Sequence, residues 1–204
     1  STWRLINGTE LYDVAKDPGQ KINVINEFPE IAKQMMNFYS NWWDDASMEF
    51  RYSYIDILPQ KTTILTAHDV HVKSITAWSQ KDIRSGNPFE TGNFYIDVKK
   101  AGKYEIILRR WPIETGLHLN AKLNDYIPPT PYWDEVITGN SMDISNGKIL
   151  INDSESITSN KINNSGITFN VEMDSGKQTL APMFNLKNGD KTVAFFTEIS
   201  YQGK

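Results

Sequence analysis

From about residue 53 the apolar side chains recur every second residue rather than every third or fourth, in short runs broken by Gly, Asn, Asp, Ser and Pro. A period of two belongs to strands with one buried face, and runs this short and this frequent leave few architectures open. The runs are 62–66, 72–78, 94–98, 103–111, 117–123, 148–151, 167–173, 178–184 and 192–201. With no second helical pattern between them, they predict a mainly β chain: an antiparallel β-sandwich or jelly roll over 53–204. In the last run Val193, Phe195, Thr197, Ile199 and Tyr201 are expected on one face, with Ala194, Phe196, Glu198 and Ser200 on the other. The segment 125–134 holds three prolines, which cannot donate to a ladder, so it is expected to be an extended loop. The Ser- and Asn-rich segment 152–165 reads as a second connection, in which 155–158 can form a short strand.

The first 52 residues read differently. Trp3 to Ile6 and Glu10 to Val14 are strand-like and flank Asn7-Gly8, the signature of a type I′ hairpin turn. Asp17-Pro18-Gly19 predicts a further turn, with Pro fixing φ, Gly supplying positive φ and Asp bonding back to the backbone. Pro29 suits the first turn of a helix, and Ile31, Met35, Phe38 and Trp42 then follow helical spacing to about residue 46. The expected domains are therefore 1–52, a hairpin with one amphipathic helix, and 53–204. One hairpin cannot bury that aromatic stripe, so either the downstream domain or further sequence is expected to cover it.

Composition removes several classes of function. The 204 residues carry 21 Lys and Arg against 25 Asp and Glu, net −4, with the basic residues scattered, so no nucleic-acid footprint is present. Cysteine is absent, which removes disulfides, thiolate metal sites and cysteine nucleophiles. No apolar run approaches the ~18–20 residues needed to cross a bilayer, so no membrane partner is expected. Residues 1–6 lack the charged and apolar regions of a signal peptide, and the first residue is not Met. A chain cut from a longer one is expected, exported by a bacterium to the periplasm or beyond, where zero cysteine is ordinary.

Arg4 to Val14, Asp17-Pro18-Gly19-Gln20, Asn23-Val24 and Phe28-Pro29-Glu30-Ile31 together resemble the end of the catalytic region of arylsulfatase-type enzymes. There a strand pair carrying Leu-Tyr-Asp leads into an Asp-Pro turn, an asparagine and a Pro-initiated helix. The stretches at 65–71, 78–80, 83–86, 101–104, 108–112 and 176–184 resemble a C-terminal extension of some bacterial arylsulfatases. The Ala-Gly-x-Tyr at 101–104 also occurs in jelly-roll carbohydrate-binding modules. The resemblance implies hydrolysis of sulfate esters by a formylglycine, made within Cys/Ser-X-Pro-X-Arg, beside a calcium ion. That motif does not occur in this chain, so no catalytic residue, no metal ligand and no cofactor is assigned to it. The calcium and the formylglycine are expected in the upstream catalytic domain, the implied partner, with a sulfated glycan as the implied ligand. The alternative of a different class is a self-standing, non-enzymatic carbohydrate-binding module.

Candidate contact residues follow from chemistry. Arg109, Arg110 and Trp111 combine guanidinium groups, which pair with sulfate, and an indole, which stacks on sugar rings. Strand alternation places Arg110 with Tyr104, Ile106 and Leu108, and Arg109 with Trp111, so one arginine is expected to be held by a carboxylate. The pair is therefore read either as structural or as a contact for substrate or partner. Trp78, Arg84, Tyr132 and Trp133 are further candidates, the last two because displaced loops carry function or seal interfaces. His68 and His71 flank Asp69 but point to opposite faces if on a strand, so a shared metal is not expected. His118 is read as a lone imidazole in an alternating strand.

Overall fold

The structure is a computed structural model that describes residues 2–48, 53–127, 136–153 and 155–203. Within it the chain divides into two units, 1–53 and 54–204, one residue from the boundary read in the sequence. In the first unit β1 (Trp3–Ile6) pairs antiparallel with β2 (Glu10–Asp13) in the register Ile6↔Glu10. Asn7 and Gly8 both take positive φ, 50° and 72°, and the Thr9 amide closes the turn on the Ile6 carbonyl. Gly8 has a second reason to lack a side chain: a Cβ there would stand 2.9 Å from Met36 Sδ.

Beyond the hairpin, the Asp17 carboxylate accepts from the amides of Lys21 and Ile22. The positive φ of this turn falls on Gln20, at 52°, and not on Gly19 as the sequence suggested. Asn23 then ties the strand edge: its Oδ1 accepts from the amides of Leu11 and Ile25, and its Nδ2 donates to the Thr9 carbonyl. Helix α1 (Pro29–Ser47) begins with Pro where the missing N–H costs nothing, and Phe28 at its cap packs on Trp3 at 5.0 Å. Ala32 is buried and Ile31 and Met35 are half-buried, whereas Phe38, Tyr39, Trp42 and Trp43 remain exposed.

The second unit is built from two sheets. One runs β3 (Ile55–Ile57), β5 (Phe94–Val98), β10 (Gly176–Leu186), β7 (Ile144–Ile151), β8 (Glu155–Ser159), with β11 (Lys191–Val193) also paired to β10. The other runs β4 (Thr63–Thr66), β12 (Phe196–Gly203), β6 (Gly102–Arg109), β9 (Ile167–Met173). All pairs are antiparallel except β3 with β5. Tyr104, Ile106 and Leu108 of β6 and Ile167, Phe169, Val171 and Met173 of β9 are buried in one core with Phe94, Ile96, Val98, Leu180 and Phe184 of the other sheet. This is the β-sandwich that the period-two runs predict.

Pro182 lies within the central strand β10, a position that ordinarily argues against Pro. The strand changes neighbours there: residues 176–180 pair with β5 and 183–185 with β11. The Pro182 carbonyl accepts from Ala194 on that same side, so the missing donor faces the gap between the two neighbours. At the start of β6, Gly102 has φ 149° and a Cβ would meet the Gly203 carbonyl at 2.4 Å, so only Gly fits. Tyr104 is buried, with its hydroxyl donating to the Lys100 carbonyl.

Four expectations need correction. Residues 72–78 form no strand; His71 makes a lone bridge to Asn93 and the chain then runs as a loop. Residues 117–123 are likewise irregular, following a 3-10 turn at Ile113–Thr115; only Leu119 of the alternating leucines is fully buried. A second helix exists, α2 (Gln80–Ser85), too short to show a period. The run 192–201 is broken into β11 and β12 around Ala194 and Phe195, both buried. Among the described residues, no helix is long and apolar enough to cross a membrane.

Candidate functional site

Two local devices shape one end of the sandwich. After β4 the chain turns through a 3-10 turn at Ala67–Asp69, where the Asp69 carboxylate accepts from the Thr66 amide and hydroxyl. Ten residues on, Ser79 and Asp82 form a capping box at the start of α2, and Asp82 Oδ2 accepts from the amides of Trp78 and Ser79 at 2.9 and 2.7 Å. Burial pushes the Asp82 carboxyl up, but the bonds from Ser79 and Trp78 and the nearby Lys81 outweigh it, and the group sits below its usual value. Gly86 at positive φ closes this helix.

The two devices meet. His68 Nε2 donates to the Trp78 carbonyl at 2.7 Å, the two rings pack at 4.8 Å, and the Thr76 hydroxyl donates to the Ala67 carbonyl. His68 is thus held by a turn and not by a strand, and His118 lies in a loop where its Nδ1 accepts from the Asn120 amide. Trp78 is 72% exposed although its backbone is fixed on both sides. It edges a cavity of 330 Å³ whose lining includes His68, Gln80, Ile83, Phe195 and Trp111. Trp111 is 5% exposed, and its indole N–H is buried with no hydrogen-bond partner.

The structure brings together two of the candidates, Trp78 and Trp111, and sequesters the arginines. β6 ends at Arg109, so Arg110 and Trp111 leave the sheet and strand alternation does not assign their faces. Arg109 is the arginine held by a carboxylate, with Nε on Glu198 Oε1 at 2.7 Å and Nη2 on Oε2 at 3.1 Å. Arg110 is fully buried and donates to the carbonyls of Ile83, Ala121 and Asn140, at 2.9, 3.2 and 2.7 Å, while its guanidinium stacks on Trp111 at 4.4 Å. Burial lowers its pKa to about 10, which leaves it charged at neutral pH. Arg84 donates to the Asn124 carbonyl and lies over Tyr126. Tyr132 and Trp133 lie outside the described residues.

Of the cavity residues, sequence reasoning assigned only Trp78 and Trp111 to a site; His68 and Gln80 are among those it missed. The Ser79-x-x-Asp82 pattern is the signal that locates Gln80, since a capping box marks a helix start even where the helix is too short to show periodicity. Among the described residues, no group of three or more His, Cys, Asp or Glu side chains is placed to hold a metal ion. Comparison of the chain with protein-family models, with curated proteins and with solved structures gave no match.

Proposed function

We propose that the chain is the C-terminal, non-catalytic part of an arylsulfatase-type sulfatase, in which the sandwich supports the rim of an upstream active site and contacts the glycan end of a sulfated substrate. The observation that carries this reading is the way residues 4–31 use their motif. Leu11 receives the Asn23 side chain on its amide, Asp17 organises the turn, and Pro29 opens the helix. Asp17, Asn23 and Pro29, three of the residues on which the resemblance rests, therefore have defined structural tasks in the hairpin-and-helix unit. The calcium and formylglycine of that family are assigned to upstream sequence, and no step is routed through them here. Export to the periplasm or the exterior of a bacterium belongs to the same proposal.

Peptide mapping by mass spectrometry of the native polypeptide tests it. A formylglycine-bearing peptide upstream of Ser1 in the same polypeptide is the expected result. A native protein in which no such sequence is joined to this chain overturns the sulfatase reading.

A second reading, a self-standing carbohydrate-binding module, is favoured by one observation: Trp78 stands exposed at the edge of a cavity with its backbone fixed. It predicts glycan binding by the chain in the absence of any catalytic domain.

A further inference from the structure

Three Asn-Gly dipeptides occur in the chain, at 7–8, 146–147 and 188–189. Glycine puts no side chain in the way of its own amide nitrogen, which can close a five-membered ring on the carboxamide carbon of the asparagine before it. Closure needs an amide nitrogen free to lose its proton, a carboxamide free to turn toward it, and a backbone that can swing the two together. A hydrogen bond on either group, or a strand on either side, opposes it.

Two of the three pairs are tied down. Asn146 and Gly147 lie in β7 between β10 and β8, with Gly147 opposite Phe184 on one side and Ser159 on the other. Asn146 Oδ1 accepts from the Asn185 carboxamide, and Asn146 Nδ2 donates to the Ser145 hydroxyl. Asn188 is exposed, yet its Oδ1 accepts from the Asp190 amide, its Nδ2 donates to the Asp190 carboxylate, and the Gly189 amide donates to the Leu186 carbonyl. Both groups that must react are engaged there.

Asn7 differs on every count. It is exposed, and among the described residues neither its carboxamide nor the Gly8 amide has a hydrogen-bond partner. The turn that holds them is closed by the bond from the Thr9 amide to the Ile6 carbonyl, in a sheet of two strands. A two-stranded sheet resists local opening least.

We propose that Asn7 is a site of spontaneous deamidation in the folded chain, whereas Asn146 and Asn188 are protected by their bonds. The Gly8 amide nitrogen gives its proton to water and bonds to Cγ of Asn7. The Cγ–Nδ2 bond then breaks as Nδ2 takes up a proton, and ammonia leaves a succinimide behind. Water adds to either ring carbonyl and breaks its C–N bond, so that position 7 becomes aspartate or isoaspartate with one more negative charge. Water is the only co-reactant. Isoaspartate also adds a methylene to the backbone of the turn, where a Cβ on Gly8 would already stand 2.9 Å from Met36 Sδ of α1. The modified hairpin is therefore expected to pack less tightly against the helix. None of this depends on the sulfatase reading.

The test incubates the full chain in heavy-oxygen water at neutral and mildly alkaline pH and reads the label at each of the three asparagines by peptide mass mapping. Label is expected at position 7 at least about tenfold faster than at 146 or 188, as when one site opens locally and the others need more of the fold to open, and faster at the higher pH. The same chain unfolded in guanidinium chloride is expected to take up label at all three positions at comparable rates, which separates protection by the fold from reactivity of the sequence. Label at 146 or 188 as fast as at 7 in the folded chain overturns the proposal. So does a folded chain that stays unlabelled at Asn7 while the unfolded chain reacts there, or an unfolded chain that keeps the preference for Asn7 seen in the folded one.

Discussion

Arg109 and Glu198 face each other on adjacent strands of the sandwich and join through two parallel hydrogen bonds, at 2.7 and 3.1 Å, with both side chains almost wholly buried. A pair of this geometry is secure only while complete, since either charge left alone inside the protein has no solvent to return to. Glu198→Gln or Arg109→Met is therefore expected to lower stability by about 3–5 kcal/mol, and the double replacement Arg109→Met with Glu198→Leu by much less than the sum. Urea unfolding of the three variants measures this.

Arg110 does a different job next door. Its guanidinium joins Ile83 of α2 to the carbonyls of Ala121 and Asn140, three segments far apart in sequence. Lysine keeps the charge but cannot reproduce a planar fork or its stacking on Trp111. Arg110→Lys is expected to cost about 2–3 kcal/mol. Hydrogen exchange should show the loss first around Ala121 and Asn140, whose carbonyls lose the guanidinium fork.

These two arginines also mark the limit of what the sequence discloses. Strand β9 was legible to the residue, since Ile167, Phe169, Val171 and Met173 alternate strictly with polar neighbours and all four are buried. Leu117, Leu119, Ala121 and Leu123 alternate just as cleanly, yet the segment is a loop, because period two describes any extended backbone and a ladder also needs a partner. Here the Leu119 amide bonds to the Asn164 carbonyl, and among the described residues the segment joins no ladder. The faces of Arg110 and Trp111 were not legible for a related reason: alternation holds only inside the strand, and β6 stops one residue earlier. Trp78 was visible as a residue type, whereas its fixed orientation depends on His68 and Asp82, which only the fold brings to it.

The Asp82 carboxyl gives the region around Trp78 a pH dependence of known sign. Its folded pKa lies below the unfolded value, so its contribution is complete above the ordinary aspartate range, about 3.9, and is lost as pH falls through the lower folded pKa. Amide exchange at Trp78 and Ser79 is expected to stay protected near pH 5 and to loosen in stronger acid, ahead of the sheet amides. Asp82→Asn should remove that step and leave these amides less protected at every pH. A profile for Trp78 and Ser79 that simply follows global unfolding would show that the capping box contributes no separate stability.

The helix of the first unit carries the last prediction. Phe38 is 76% exposed and Trp42 53%, and Tyr39, Trp42 and Trp43 cluster with ring separations of 5.8–6.2 Å. Such a patch on one helix face exceeds what scattered surface apolar residues explain, and apolar area of this kind drives association in water. The chain by itself is expected to associate with rising concentration, with light scattering giving a mass above the 23.4 kDa of one copy. Phe38→Lys with Trp42→Lys should return it to one copy while leaving helical circular dichroism unchanged, because both side chains lie outside the buried Ala32 contact and lysine is a good helix former. A chain that stays monodisperse at the mass of one copy at millimolar concentration would show that these rings carry no association energy in the isolated chain.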